Sequence, residues 1–221
     1  MISQIETTSG NGTAPIYQLE ITLEGPQPAI WRRLQVPGNA SLGWLHAVIQ
    51  VVMGWTNSHL HQFHFGNQTY SDPAFELGEF EGDLKVRDEK KTILMKVAPQ
   101  TGTTLGYEYD FGDSWQHQIT VERIRPSAAA AVTTAHCLDG ARACPPEDCG
   151  GVSGYVDLLK ILKNRKHKEH KSMMAWLGRP FNAEVFDINS VNKCLSQFKW
   201  PRVTESQLRK VLMVRDGFNA P

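Results

Sequence analysis

Leu105-Gly106-Tyr107-Glu108-Tyr109-Asp110-Phe111-Gly112-Asp113-Ser114-Trp115-Gln116-His117-Gln118-Ile119-Thr120-Val121 is the stretch on which the fold turns. Leu105, Tyr107, Tyr109 and Phe111 alternate with Gly106, Glu108 and Asp110. Trp115, His117, Ile119 and Val121 then alternate with Gln116, Gln118, Thr120 and Glu122. A period of two gives each arm one buried face and one wet face. Gly112-Asp113 between the arms supplies the turn, so the segment reads as a β-hairpin.

The same alternation recurs upstream. Tyr17, Leu19, Ile21 and Leu23 define a strand that Gly25-Pro26 ends. Ile30, Arg32, Leu34 and Val36 define another that stops at Pro37-Gly38. Ser41 is placed to cap a helix from Leu42 to Met53, with Gly54 as its stop. Residues 59–65 read as a strand with His59, His61, Phe63 and Phe65 on one face, closed by a Gly66-Asn67 turn. Residues 74–91 read as a loop, and Ile93 to Val97 fits strand or helix equally. A Pro/Ser/Ala-rich linker over 126–136 leads to a Cys/Pro/Gly-rich loop over 137–151. Helical spacing follows: Tyr155, Leu158, Leu159 and Leu162; Met173, Trp176 and Leu177 before Gly178; Val191, Leu195 and Phe198 after Asp187. Thr204 and Gln207 match a capping box ahead of Leu208, Val211 and Leu212, with Gly217 beyond. Strands first and helices last predict an α+β fold. It would have an antiparallel β-sheet packed with helices and a helical C-terminal third over 152–217. The polar residues 1–15 read as a disordered tail and 16–221 as one domain.

The chain's 221 residues hold 23 Lys plus Arg and 23 Asp plus Glu, with 41% hydrophobic residues. That composition excludes a disordered or low-complexity chain. No apolar run approaches a transmembrane span, and Met1 to Pro15 lacks a signal-peptide pattern, so no membrane association and a cytoplasmic location are expected. The neutrality is a cancellation. Residues 1–149 carry 10 basic and 17 acidic side chains, residues 150–221 carry 13 and 6. Lys163, Arg165, Lys166, Lys168 and Lys171, interleaved with His167 and His170, form the densest run. It reads either as a nucleic-acid surface or as a solvated helix face.

Two candidate sites stand out. Cys137, Cys144 and Cys149 fall within 13 residues. In a reducing compartment clustered thiols suggest zinc, with His59 or His61 as the candidate fourth ligand. Their spacing is not that of paired C-x-x-C knuckles, and the alternative is a rigid Pro/Gly turn with thiols buried as small apolar groups. The hairpin offers Asp110, Asp113 and His117, candidates for acid–base or metal-assisted catalysis or, alternatively, ordinary turn residues. Asp110-Phe111-Gly112 spells the kinase metal triplet, but no glycine-rich nucleotide loop or catalytic-loop signature accompanies it.

Several pieces together resemble the plasmid pRiA Orf-three-like family of bacterial and archaeal proteins. They are Ile30-Trp31-Arg32-Arg33, Gly54-Trp55 with His59 and Phe63, Tyr107 through His117, Cys144-Pro145-Pro146-Glu147-Asp148-Cys149-Gly150-Gly151, Tyr155, Trp176-Leu177-Gly178, and Phe186-Asp187 through Asn192. The resemblance spans roughly residues 16–200. Some relatives are described as passengers of insertion elements. The family often has Asp-Pro shortly before the histidine matching His167, where this chain has Asn164-Arg165-Lys166. The resemblance implies the fold more strongly than any particular activity.

Function is therefore expected in one of two classes. The first is a non-enzymatic binding or accessory module of a mobile-element-associated family, contacting nucleic acid through the basic helical region or docking a protein partner. The alternative is a metal-dependent hydrolase-type enzyme using Asp110, Asp113 and His117.

Overall fold

The computed structural model describes residues 14–77, 86–127, 133–197 and 204–215. Eight strands form one sheet: β1 (Ile16–Leu23), β2 (Ile30–Pro37), β3 (His61–Phe65), β4 (Gln68–Ser71), β5 (Val86–Asp88), β6 (Thr104–Tyr109), β7 (Trp115–Arg125) and β8 (His136–Ala141). Their spatial order is β5-β4-β3-β6-β7-β1-β2-β8. The hairpin is β6–β7, with Tyr107 opposite His117 and Tyr109 opposite Trp115. Strict alternation along β1 buries Tyr17, Leu19, Ile21 and Leu23 on one face. Gln18, Glu20, Arg33 and Glu122 form a polar network on the other.

The expected antiparallel sheet with a helical C-terminal third needs correcting. The sheet is mixed, because β5 pairs parallel to β4. Three residues, Val86-Arg87-Asp88, are too short to show alternation, which is why 74–91 reads as a loop. The cysteine stretch is not wholly a loop either, since its start is the edge strand β8, paired with β2. Six helices are described: α1 (Leu42–Met53), α2 (Leu94–Val97), α3 (Gly151–Lys163), α4 (His170–Leu177), α5 (Ile188–Leu195) and α6 (Glu205–Arg215). α4 and α5 have only 8 residues each, and residues 178–187 between them are irregular. The C-terminal third is thus short helices joined by irregular chain. Of the remaining readings, residues 1–13, 78–85 of the expected loop, 128–132 of the linker, Phe198 and Gly217 lie outside the described residues. Pro15, read as part of the tail, accepts a hydrogen bond from the Gly38 amide.

Local chemistry sets the helix ends. Ser41 accepts from the Trp44 amide, and Gly54 stops α1 at φ 111°, a conformation closed to most side chains. Thr204 and Gln207 exchange hydrogen bonds as a capping box on α6. Asp187 accepts from Asn189 and Ser190 at the start of α5.

α1 is the centre of the molecule. Eleven of its twelve residues are buried. It packs against α5 and α6 and touches the sheet through Val52 and His46. Arg32, 1% exposed, points inward from β2 and donates to the carbonyls of Val52, Trp31, Ala141 and Arg142 at 2.7–2.8 Å. Its guanidinium also lies 3.9 Å over the Phe186 ring. One cation thereby satisfies the C-terminal end of α1 and the exit of β8. Arg32→Met keeps the bulk and removes the donors, orphaning buried carbonyls. The expected cost is about 3 kcal/mol, read as a lower urea midpoint at unchanged slope. A loss below about 1 kcal/mol would mean those carbonyls find other partners.

Candidate functional site

The turn of the β6–β7 hairpin begins at Asp110, held at φ 58°. Its Oδ1 accepts from the amides of Gly112 and Asp113, and its own amide donates to Leu60. That last bond ties the 54–60 connection to the turn. A third segment arrives from the cysteine loop. The Trp55 indole N–H donates to Pro145, and Glu147 Oε1 accepts from the Thr56 amide, the Thr56 hydroxyl and the Tyr109 hydroxyl. Asp148 follows at φ 56°.

These three segments converge on His59. Its Nε2 lies 3.2 Å from Asp148 Oδ1, 3.6 Å from Asp110 Oδ2 and 3.8 Å from Glu147 Oε2. Asp110 is 6% exposed, whereas the Asp148 side chain is 69% exposed. Burial raises the Glu147 pKa above its ordinary value, opposed by the Thr56 and Tyr109 donors. His59 does not belong to a strand, since β3 starts at His61.

His61 therefore serves a different cluster. Its Nε2 meets Glu89 Oε2 at 2.9 Å, and its ring stacks on His46 with centroids 3.3 Å apart and planes 3° off parallel. His46 bridges the Tyr107 hydroxyl and Asn57 Oδ1. With Asn57 able only to accept at that oxygen, His46 Nε2 carries the proton and Nδ1 receives the Tyr107 O–H. A groove of about 620 Å³, lined by Trp44, His46, His59, His61, Phe75 and Leu208 among others, joins the two clusters.

Other sequence candidates are dispersed. Asp113 Oδ2 accepts from Gly150 just ahead of α3. His117 is in the core, 1% exposed, with Nδ1 donating to the Tyr107 carbonyl and its ring at the edge of Trp55. Of the proposed catalytic trio, only Asp110 reaches His59. The thiols do not assemble as a ligand set. Cys137 lies in β8 and donates to the Asp139 carbonyl, Cys144 meets Met53 Sδ at 3.5 Å, and burial pushes Cys149 up to about 12. Among the described residues, the group of His, Cys, Asp or Glu ligand atoms lying within 4.8 Å of one another is His59, Asp110 and Asp148. Glu147 and Asp148 were missed in the sequence because the flanking cysteines drew the ligand reading. Their signal was two acids held in a Pro-Pro turn.

The family described as Plasmid pRiA4b ORF-3-like protein matches residues 15–190. The chain belongs to that family. The Sinorhizobium fredii protein named uncharacterized protein y4hQ is 33% identical over 193 residues, covering 86% of this chain and 96% of its own. A crystal structure of a protein of unknown function from Methanosarcina mazei Go1 superposes with a TM-score of 0.69 at 36% identity, covering 80% of this chain and 97% of the other. Within the pRiA4b ORF-3-like match lie His59, Asp110, Glu147 and Asp148, whereas α6, which borders the groove through Glu205 and Leu208, lies beyond it.

The basic run also lies inside that match. Lys163 ends α3, Arg165, Lys166 and Lys168 occupy the turn, and Lys171 stands in the first turn of α4. All five are exposed. Lys168 sits 4.0 Å from Glu169, and among the described residues the other four form no ion pair. No described helix is long and apolar enough to cross a membrane.

Burial holds three histidines neutral, pushing His46 and His61 down to about 3 and His117 to about 4. An unfolded histidine takes its proton near 6.5, so across this window the unfolded chain binds more protons and stability falls as pH falls. Glu89 works the other way: burial pushes it up to about 7 from 4.5, so its contribution is lost as pH rises through that range. Three groups outweigh one, and unfolding free energy is expected to drop by a few kcal/mol between pH 6.5 and 4. Urea melts across pH measure it. Ring signals of these histidines titrating near 6.5 by NMR would contradict it.

Proposed function

We propose that this pRiA4b ORF-3-like protein is a non-enzymatic binding module that contacts nucleic acid through the α3–α4 corner. The observation that carries the reading is the crowding of five exposed basic side chains into nine residues, four of them without an ion pair among the described residues. A helix C-terminus welcomes cations, so Lys163 is ordinary at the end of α3. Lys171 in the first turn of α4 is not, because that end of a helix favours anions, and the one acid there is the N-cap Glu169, which Lys168 also approaches. A phosphate backbone offsets that repulsion. Trp176, 46% exposed, and Met174 lie on the same short helix. Exposed aromatic surface beside a basic run suits unstacked bases more than a duplex. The acidic excess in residues 1–149 repels polyanions elsewhere and confines contact to this corner.

Fluorescence anisotropy with labelled single-stranded DNA and RNA across salt tests this. Five phosphate contacts predict a log–log salt slope of about −3.5. Arg165→Ala and Lys166→Ala should each flatten it by about 0.7. Trp176→Ala should weaken binding by about 1 kcal/mol or more. Absence of binding at about 50 mM salt, where phosphate contacts are strong, would end the reading.

A further inference from the structure

The His59 cluster is electrostatically incomplete. Three carboxylates surround one imidazole, and His59 Nε2 and Glu147 Oε2 are both buried without a hydrogen-bond partner. The His59 nitrogen lies 3.2–3.8 Å from three carboxylate oxygens and is hydrogen-bonded to none of them. An imidazolium serving as an ion-pair hub would aim its N–H along one of those vectors. No such hydrogen bond forms here. Asp110, nine-tenths buried, spends Oδ1 on the turn amides and leaves Oδ2 facing His59.

We infer that His59, Asp110, Glu147 and Asp148 form a binding site for a divalent first-row cation. Ligand atoms about 2.0–2.2 Å from one ion at tetrahedral angles stand ~3.4 Å apart. The separations from Nε2 bracket that value, and the His59, Asp110 and Asp148 atoms all lie within 4.8 Å of one another, so little movement closes those three and Glu147 Oε2, 3.8 Å from Nε2, has to swing in as the fourth. The donors are one imidazole and hard carboxylate oxygens, a combination that suits Zn²⁺ or Mn²⁺ and lacks the thiolates of a closed structural zinc site. Coordination by Glu147 leaves its other oxygen on Thr56 and Tyr109, which fixes the ligand's orientation as outer hydrogen bonds do in metal sites. Asp110 is oriented in the same way by Gly112 and Asp113. Asp148 is the exposed ligand, through which an ion would enter. His59 also borders the groove, so a bound cation would sit at the end of that cavity.

The site is separate from the basic corner, and its test is independent of nucleic acid. Chelator-stripped full-length protein is titrated by calorimetry with ZnCl₂ and with MnCl₂, and Mn²⁺ binding is followed by electron paramagnetic resonance. One ion per chain is expected, with Zn²⁺ the tighter. Asp148→Asn, at an exposed position, and the isosteric Asp110→Asn should each lower affinity at least tenfold, and His59→Ala more. Circular dichroism checks that each variant is folded, and Asp148→Asn keeps the test alive if another is not. Cys137→Ser and Cys149→Ser should bind as the parent does. Failure of the parent to bind either ion overturns the inference. So does binding that persists in Asp148→Asn and His59→Ala, or that is lost with the thiols.

Discussion

A guanidinium buried in a protein core must find oxygen acceptors for its donors, and Arg32 finds four backbone carbonyls. That requirement organises the molecule. Val52 belongs to the last turn of α1, so Arg32 fixes where α1 ends over the sheet. Ala141 and Arg142 belong to the exit of β8, so the same side chain fixes where the chain leaves the edge strand. From there only a few residues separate Arg142 from the Pro145 carbonyl that receives the Trp55 indole. The loop bearing Glu147 and Asp148 is thus held at both ends: behind by Arg32, ahead by the bond from Gly150 to Asp113.

The acid–histidine cluster follows from that clamping. No two of its three contributing segments are close in sequence. Asp110 is placed by a tight turn that needs a left-handed residue, a conformation Asp tolerates better than most. The same side chain pays for the turn with one oxygen and faces the cluster with the other. Glu147 divides its oxygens similarly. Asp110 and Glu147 are therefore positioned by bonds that hold the fold together, and the oxygen each turns to His59 is left over from that role.

The hairpin, β1, β2, α1 and the α6 capping box were all legible, because each is written in local periodicity or in a cap three residues from its partner. Asp113 and His117 were legible as residues but not as roles. Alternation places His117 on the face of Ile119 and Val121, yet only the core shows its Nδ1 spent on Tyr107. The parallel β4–β5 pair was invisible, since parallel pairing joins segments without a turn signal and Val86-Arg87-Asp88 has no usable pattern. His59 and His61 show the limit most clearly. A spacing of two implies a shared face only if both lie in the strand, and the strand starts at His61. One residue of irregular chain sends the two rings to different clusters. Glu147 and Asp148 needed the 91-residue closure onto Thr56, which no local pattern encodes.

The zero net charge takes its meaning from one helix. α3 begins at Gly151, beside Asp113 and directly after the Glu147-Asp148 loop, and ends at Lys163, the first member of the basic run. Thirteen residues at 1.5 Å each give it a length of about 20 Å. Its positive end thus stands by the acidic segment and its negative end by the basic one, so the macrodipole supports both charge groups where they are. The separation also exceeds the screening length of about 8 Å at physiological ionic strength. Over that length salt weakens the field of the lysines at the acidic segment and that of the carboxylates at the basic run. Neutrality summed over the chain therefore describes neither surface. It is the cancellation of an acidic excess of seven in residues 1–149 against a basic excess of seven in residues 150–221, and α3 joins the acidic segment at one end to the basic run at the other.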